Sequence, residues 1–172
     1  VELAIVLVII GLIIGGVLVG QDLIKAAEIR ATATQIEKYN SAATAFRTKY
    51  DGYPGDLIQT RAATFGLASS GAGTDGLQDG DGVLENGGTA ADKQGVGGEA
   101  SAFWVHLTQA QFIPDAFTAA AGRDGTIAAA AATDALVGAV LPTLKIRDSA
   151  DVHATGIGGR NYFYVSAVTA VA

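Results

Sequence analysis

The sequence predicts an α+β chain: a long N-terminal α-helix, half hydrophobic and half amphipathic, packed on a small C-terminal antiparallel β-sheet domain with a long Gly-rich loop. Three observations predict it. Leu3 to Gly20 contain no charged or polar side chain. The next thirty residues, 21–50, hold neither Gly nor Pro and repeat apolar residues at helical spacing. The C-terminal part returns to short aromatic and β-branched runs divided by Gly, Asp and Pro. Three segments follow: an apolar helix of transmembrane length over 1–20, its amphipathic continuation over 21–52, and a globular head over 53–172.

The apolar segment comes first. Its eighteen residues rise about 27 Å as a helix at ~1.5 Å each, close to the ~30 Å of a bilayer's hydrocarbon core. Neither the basic stretch nor the small-residue cleavage site of a removable signal peptide flanks it. Glu2 opens the run. A carboxylate within a bilayer costs ~2.5–3.5 kcal/mol on insertion scales. Glu2 therefore either sits at the helix N-terminus, favoured by the macrodipole and near headgroups, or pairs with a positive group on another copy of the chain. Gly11, Gly15, Gly16 and Gly20 form two small-xxx-small frames, a pattern that lets apolar helices approach closely. Helix association is the expectation for this segment.

From Ala26 the pattern becomes one-sided. Ala26, Ile29, Ala33, Ile36, Tyr39, Ala43, Phe46, Tyr50 and Tyr53 recur at steps of three or four, with charged residues between them. A coiled-coil seam would persist with charged flanks; this stripe is interrupted by Ala and leads into a globular part, so it is expected to pack on the head. The stop is explicit, because Asp51-Gly52-Tyr53-Pro54-Gly55-Asp56 concentrates two Gly and a Pro.

Val1-Glu2-Leu3-Ala4-Ile5-Val6-Leu7-Val8-Ile9-Ile10-Gly11, the long helix after it, and Tyr53-Pro54-Gly55-Asp56-Leu57 resemble the type IV pilin superfamily, the pilins and the pseudopilins of type II secretion. The resemblance covers about the first third of the chain. It implies a structural subunit that sits in the bacterial inner membrane before assembly. Pilus or secretion machinery then builds it into a helical filament of identical subunits, a type IV pilus outside the cell in the leading reading and a type II pseudopilus in the alternative. Adhesion, motility and DNA uptake are all served by such pili. The resemblance also implies prepilin processing and N-terminal methylation. Family members carry Glu four positions after the first mature residue, so the leader and three mature residues are expected ahead of Val1. For assembly it singles out Glu2, with Gly15, Gly16 and Gly20 supplying the bending that a Pro supplies in many members, and Gly11 joining them in the close-approach frames.

Composition narrows the remaining classes. Apolar residues make up 49% and charged residues 16% of the 172, which excludes a charged disordered chain. The absence of Cys excludes disulfides, thiolate metal sites and thiol nucleophiles. Beyond residue 50 there are thirteen acidic and six basic residues, a balance that repels phosphate backbones and argues against direct nucleic-acid binding.

Within the head, residues 66–98 include eleven Gly, a long irregular loop of the kind that is usually functional. Asp75, Asp79, Asp81 and Glu85 space four carboxylates through it. They make either a solvated acidic turn, the commoner use of such a run, or a loop of oxygen ligands for a hard cation such as calcium. The spacing is not that of an EF-hand. Related pseudopilins bind calcium in a loop, and no other cofactor is expected. Glu99 to Phe112 reads as a helix whose apolar face includes Phe103, Trp104 and Leu107, with Pro114 just beyond. Trp104 is expected in the core where the long helix meets the head, and His106 beside that face is expected to be structural or exposed. Strands are expected over 126–132, 136–141, 144–147 and 162–168, the last being the strongest. Neither His106 nor His153 lies in a triad motif, and no nucleophile elbow or phosphate loop is present. The chain is not expected to be an enzyme.

Overall fold

The computed structural model describes residues 2–68, 78–85, 98–117, 141–146 and 150–167. α1 runs without interruption from Glu2 to Tyr50, about 74 Å at ~1.5 Å per residue. It ends where the sequence turns: Asp51 takes a left-handed conformation (φ 54°) and its N–H closes the last turn on Arg47 O at 2.8 Å. α2 (Gln59–Thr64) and α3 (Gly98–Gln109) follow. β1 (Ala150–Ile157) and β2 (Arg160–Ala167) form an antiparallel pair in register from Ala150↔Ala167 to Ile157↔Arg160. This is the α+β layout the sequence predicts, with a sheet of two strands among the described residues.

The amphipathic stripe divides at the head's upper edge. Ala26, Ile29 and Ala33 are exposed, whereas Tyr39, Phe46 and Tyr50 are buried. Packing of the lower stripe runs through α3. Trp104, fully buried, meets the Tyr39 ring edge-on at 4.9 Å and lies 6.1 Å from Phe163 of β2. The long helix therefore reaches the sheet largely through α3, with Trp104 at the centre of the three elements as expected. Phe46 extends the same core, stacking on His106 at 5.9 Å and contacting Tyr50 at 4.4 Å.

The expected strand over 144–147 is not one across its described residues, 144–146. Leu144 instead donates to Ala150 O and Thr143 makes a single bridge to Asp151, because the Pro142 and Leu144 backbones serve β1's open edge. β1 itself was not foreseen. Flanked by β2 on one side and by 142–144 and Leu84 on the other, it is buried from Asp151 to Thr155, so its residues do not alternate in polarity. The expected strand at the C-terminus is present, beginning two residues earlier at Arg160; position 168 lies outside the described residues. So do 126–132, nearly all of 136–141, and most of the Gly-rich stretch.

Candidate functional site

Two features of the chain carry chemistry: the projecting half of α1 and the acidic loop at the head.

Head contacts on α1 begin near Thr32, the first buried residue, and Gln35, whose amide donates to Thr143 O at 3.0 Å. Some thirty residues of helix, about 45 Å at ~1.5 Å each, stand clear of the head. Along them Leu3, Leu7, Val8 and Leu12 are each more than 70% exposed, and Leu23, Ile24 and Ile29 are still exposed beyond the apolar run. The most apolar window of the helix has a mean hydropathy of 3.0 and none of it is buried. This is a helix long and apolar enough to cross a membrane. A Cβ added at Gly11, Gly15, Gly16 or Gly20 would meet nothing within 4 Å, so nothing within the chain requires a glycine there. Glu2 is the first residue of the helix, and its side chain lies outside what the structure describes.

The acidic loop is held by residues that motif reasoning passed over. Glu99, in the first turn of α3, is fully buried. Its carboxylate accepts the N–H of Gln78 through one oxygen and that of Glu85, at 2.8 Å, through the other. Asp56 holds the centre, accepting Gly80 N–H at 2.9 Å and Gly82 N–H at 2.8 Å. Asn161 of β2 completes the clasp, taking Leu84 N–H and donating to Gly82 O, both at 2.8 Å. Burial pushes the Glu99 carboxyl up to about 8 and the Asp56 carboxyl up to about 6, in each case against the pull of its backbone donors. The Asp81 and Asp79 charges push Asp56 further the same way.

Of the four carboxylates singled out in the sequence, Asp79 and Asp81 come together, but with Asp56: oxygens of these three lie within 4.8 Å of one another. Glu85 stands outside that group, its N–H committed to Glu99, and Asp75 lies outside the described residues. The donor type suits a hard cation, which takes about six to eight oxygens. The donor number does not. Both Asp56 oxygens hold the loop, and Asp79 and Asp81 each spend an oxygen on the N–H two residues on. What these residues build on their own is an acidic turn secured by its own hydrogen bonds. Replacing Asp81 by Asn keeps an acceptor for Val83 N–H while removing a charge beside Asp56. The Asp56 midpoint, followed by NMR titration of its carboxyl carbon, is then expected to fall, and to fall less for Asp79→Asn. An unmoved midpoint in both variants would refute the charge coupling.

The Tyr53-Pro54-Gly55-Asp56-Leu57 run has one role per residue. Tyr53 lies under the Arg47 guanidinium, 4.7 Å from ring centroid to Cζ, and accepts a hydrogen bond from it. Pro54 and Leu57 are buried. Gly55 donates its N–H to His106 Nδ1 at 2.9 Å, and Asp56 caps the loop. With Nδ1 accepting, His106 Nε2 carries the proton and donates to Ala68 O at 2.6 Å. Burial holds its pKa below the usual value. His106 is thus structural, tying three segments together as a neutral imidazole. Arg61 pairs with Asp51 at 3.1 Å on the surface.

Together these features define a membrane-compatible helical rod carrying an α+β head. No family model matches the chain, and no curated protein or solved structure was found to be similar to it.

Proposed function

We propose that the chain is a structural, non-enzymatic subunit that polymerises through its N-terminal helix into a type IV pilus filament, the role its resemblance to the type IV pilin superfamily implies. The observation that carries this reading is the bare half of α1, some thirty residues of largely apolar helix that are mostly exposed, with none of the most apolar window buried. In water such a surface is unfavourable by ~25 cal/mol per Å², so it stays in lipid or is covered by other rods. Glycines that relieve no crowding within the chain suit close helix–helix approach. The acidic head stays solvated around such a core. A pseudopilin of type II secretion is the alternative. It has the same helix logic, and the acidic loop, secured by its own hydrogen bonds, does not discriminate between the two.

In a bundle of rods, a buried Glu2 carboxylate is very costly unless paired. A subunit in the wrong register leaves it unpaired. Glu2→Ala is therefore expected to impair polymerisation while leaving membrane insertion intact. The assay is electron microscopy of material sheared from cells, with immunodetection of the chain in the membrane fraction. Surface filaments made of this chain support the pilus. Its confinement to the membrane, with protein secretion failing in its absence, supports the pseudopilin. Undiminished filament yield from Glu2→Ala would sink the register role.

A further inference from the structure

The two edges of the hairpin differ. β1 spends its outward backbone groups: Gly156 N–H bonds Leu84 O at 2.7 Å and Val152 N–H bonds Pro142 O at 3.0 Å. Those two residues stand opposite Asn161 and Val165 of β2. In an antiparallel pair, residues whose backbones point away from the partner strand face one another. Asn161, Phe163 and Val165 therefore turn their N–H and C=O groups to the outer edge of β2, and among the described residues no backbone group bonds them. That edge also lacks the guards that edge strands usually carry. β2 has eight residues, an unbroken register, no Pro and no Lys, and its one charge is Arg160 at the first position. Tyr162, Tyr164 and Val165 are each more than 40% exposed. Beside the start of β2 lies a cleft of about 570 Å³ shared with α1, within the ~300–1,000 Å³ of ligand sites. Phe103, Phe163 and Ala43 give it an apolar lining. Glu37, Asn40 and Arg160 line it too, and among the described residues no hydrogen bond or ion pair commits their side chains.

We infer that the open edge of β2 takes an extended peptide segment of a second protein as a third strand. The backbone defines the occupant as an extended chain, because a strand presents its own N–H and C=O groups at the spacing of Asn161, Phe163 and Val165. Alternate side chains of that strand point to opposite faces, so one set is offered to the cleft between β2 and α1. The apolar lining suits apolar side chains at alternate positions. The two charges there call for their opposites: a carboxylate beside Arg160 at the hairpin and a basic group beside Glu37 on α1. A second copy of this chain is a poor occupant. Its own open edge is β2, and antiparallel β2–β2 pairing is generated by a two-fold axis normal to the sheet. α1 runs along the sheet, with Ile36, Asn40 and Ala43 all lining the cleft it shares with β2. That axis would set the two α1 rods in opposite directions, and both could not enter one membrane from the same side. This exclusion rests on the membrane-anchored rod of the reading above, which pilus and pseudopilus satisfy equally.

The probe is a phage library of random peptides of eight residues, the length of β2, panned against the full chain in detergent micelles. Enriched peptides are expected to alternate apolar and polar residues, to carry an acidic residue, and to slow amide exchange at Asn161, Phe163 and Val165 in NMR spectra. Val165→Pro removes one edge N–H, a change that an edge strand tolerates. It is expected to weaken binding about tenfold, the worth of roughly one backbone hydrogen bond. Asn40→Phe fills the cleft from the exposed side of α1 without altering the edge and is expected to weaken binding as well, so a Val165→Pro chain that fails to fold does not leave the site untested. Arg160→Glu is expected to exchange the selected acidic residue for a basic one. Peptides that bind both the Val165→Pro and Asn40→Phe chains at full strength, peptides that leave the three amides exchanging as before, or a library without enrichment would each overturn the inference. Slowed exchange at these amides without peptide, growing with protein concentration, would give the edge to a second copy and overturn it too. Filament yield enters none of these readouts, so the pilus reading stands or falls separately.

Discussion

Replacing Gly55 by Ala is expected to destabilise the head by about 2–5 kcal/mol, the sum of a left-handed backbone penalty of ~1–2 and an overpacking penalty of ~1–3. Gly55 has φ 88°, a region that side chains disfavour. A Cβ there would overlap Glu99 O and come within 2.9 Å of Phe103 N. Both are backbone atoms of α3, so no rotamer change relieves the clash. The strain would reach the Gly55 N–H···His106 bond and the Asp56 clasp one residue on. Gly66→Ala provides the comparison. It has φ 68° and open space around its Cβ, so it should cost only the backbone share, ~1–2 kcal/mol. Thermal melting of the full chain in detergent, followed by the fluorescence of its single Trp, separates the two. Equal melting temperatures would mean that α3 can move away from Gly55, and the account of the Gly55–α3 contact would fail.

How much of this was legible depended on whether the signal was local. α1 was fully legible, because an apolar run, a 3.6-residue period and a Gly/Pro stop lie along one stretch of chain. α3 was legible to within a few residues for the same reason: it begins at Gly98, one residue before the expected Glu99, Phe103, Trp104 and Leu107 share a face, and Pro114 follows. β1 was not. Ala150-Asp151-Val152-His153-Ala154-Thr155-Gly156-Ile157 does not alternate in polarity, because both its faces and both its edges are covered by the rest of the head. A usable signal lay beside it in Gly158-Gly159, a two-residue hairpin connection leading into the aromatic β2. The roles of Asp56 and Glu99 were illegible for a different reason. Each carboxylate serves backbone N–H groups twenty or so residues away, and backbone donors leave no mark in a sequence. The acidic run drew attention to Asp79 and Asp81 by composition. The carboxylate that joins them, Asp56, comes from the Tyr53–Leu57 turn after α1.

Between pH 6.5 and 8 the head is expected to lose stability as pH rises, and Glu99 is the group responsible. Its carboxyl is raised from an ordinary 4.5 to about 8 by burial, so the folded state holds a proton that the unfolded state has released. Stability is full below pH ~4.5 and declines until the folded group itself ionises near 8, at no more than ~1.4 kcal/mol per pH unit for one proton. Asp56, raised to about 6, acts in the same direction but is spent by then. His106 and His153 act oppositely. Burial lowers both from 6.5, so the unfolded state gains protons that the folded state refuses, and stability is lost as pH falls below about 6.5. The carboxyl and imidazole contributions therefore blunt each other in acid, and above pH 6.5 Glu99 acts without them. Glu99→Gln is expected to flatten the profile from pH 6.5 to 8. It should also lower the plateau by about 1–3 kcal/mol, since an amide offers one acceptor oxygen where the Gln78 and Glu85 N–H groups need two. Denaturant titrations at half-unit pH steps, read through Trp104, give both numbers. A Glu99→Gln profile as steep as the parent's would assign the pH dependence to another group and remove Glu99's proton from the account of the loop.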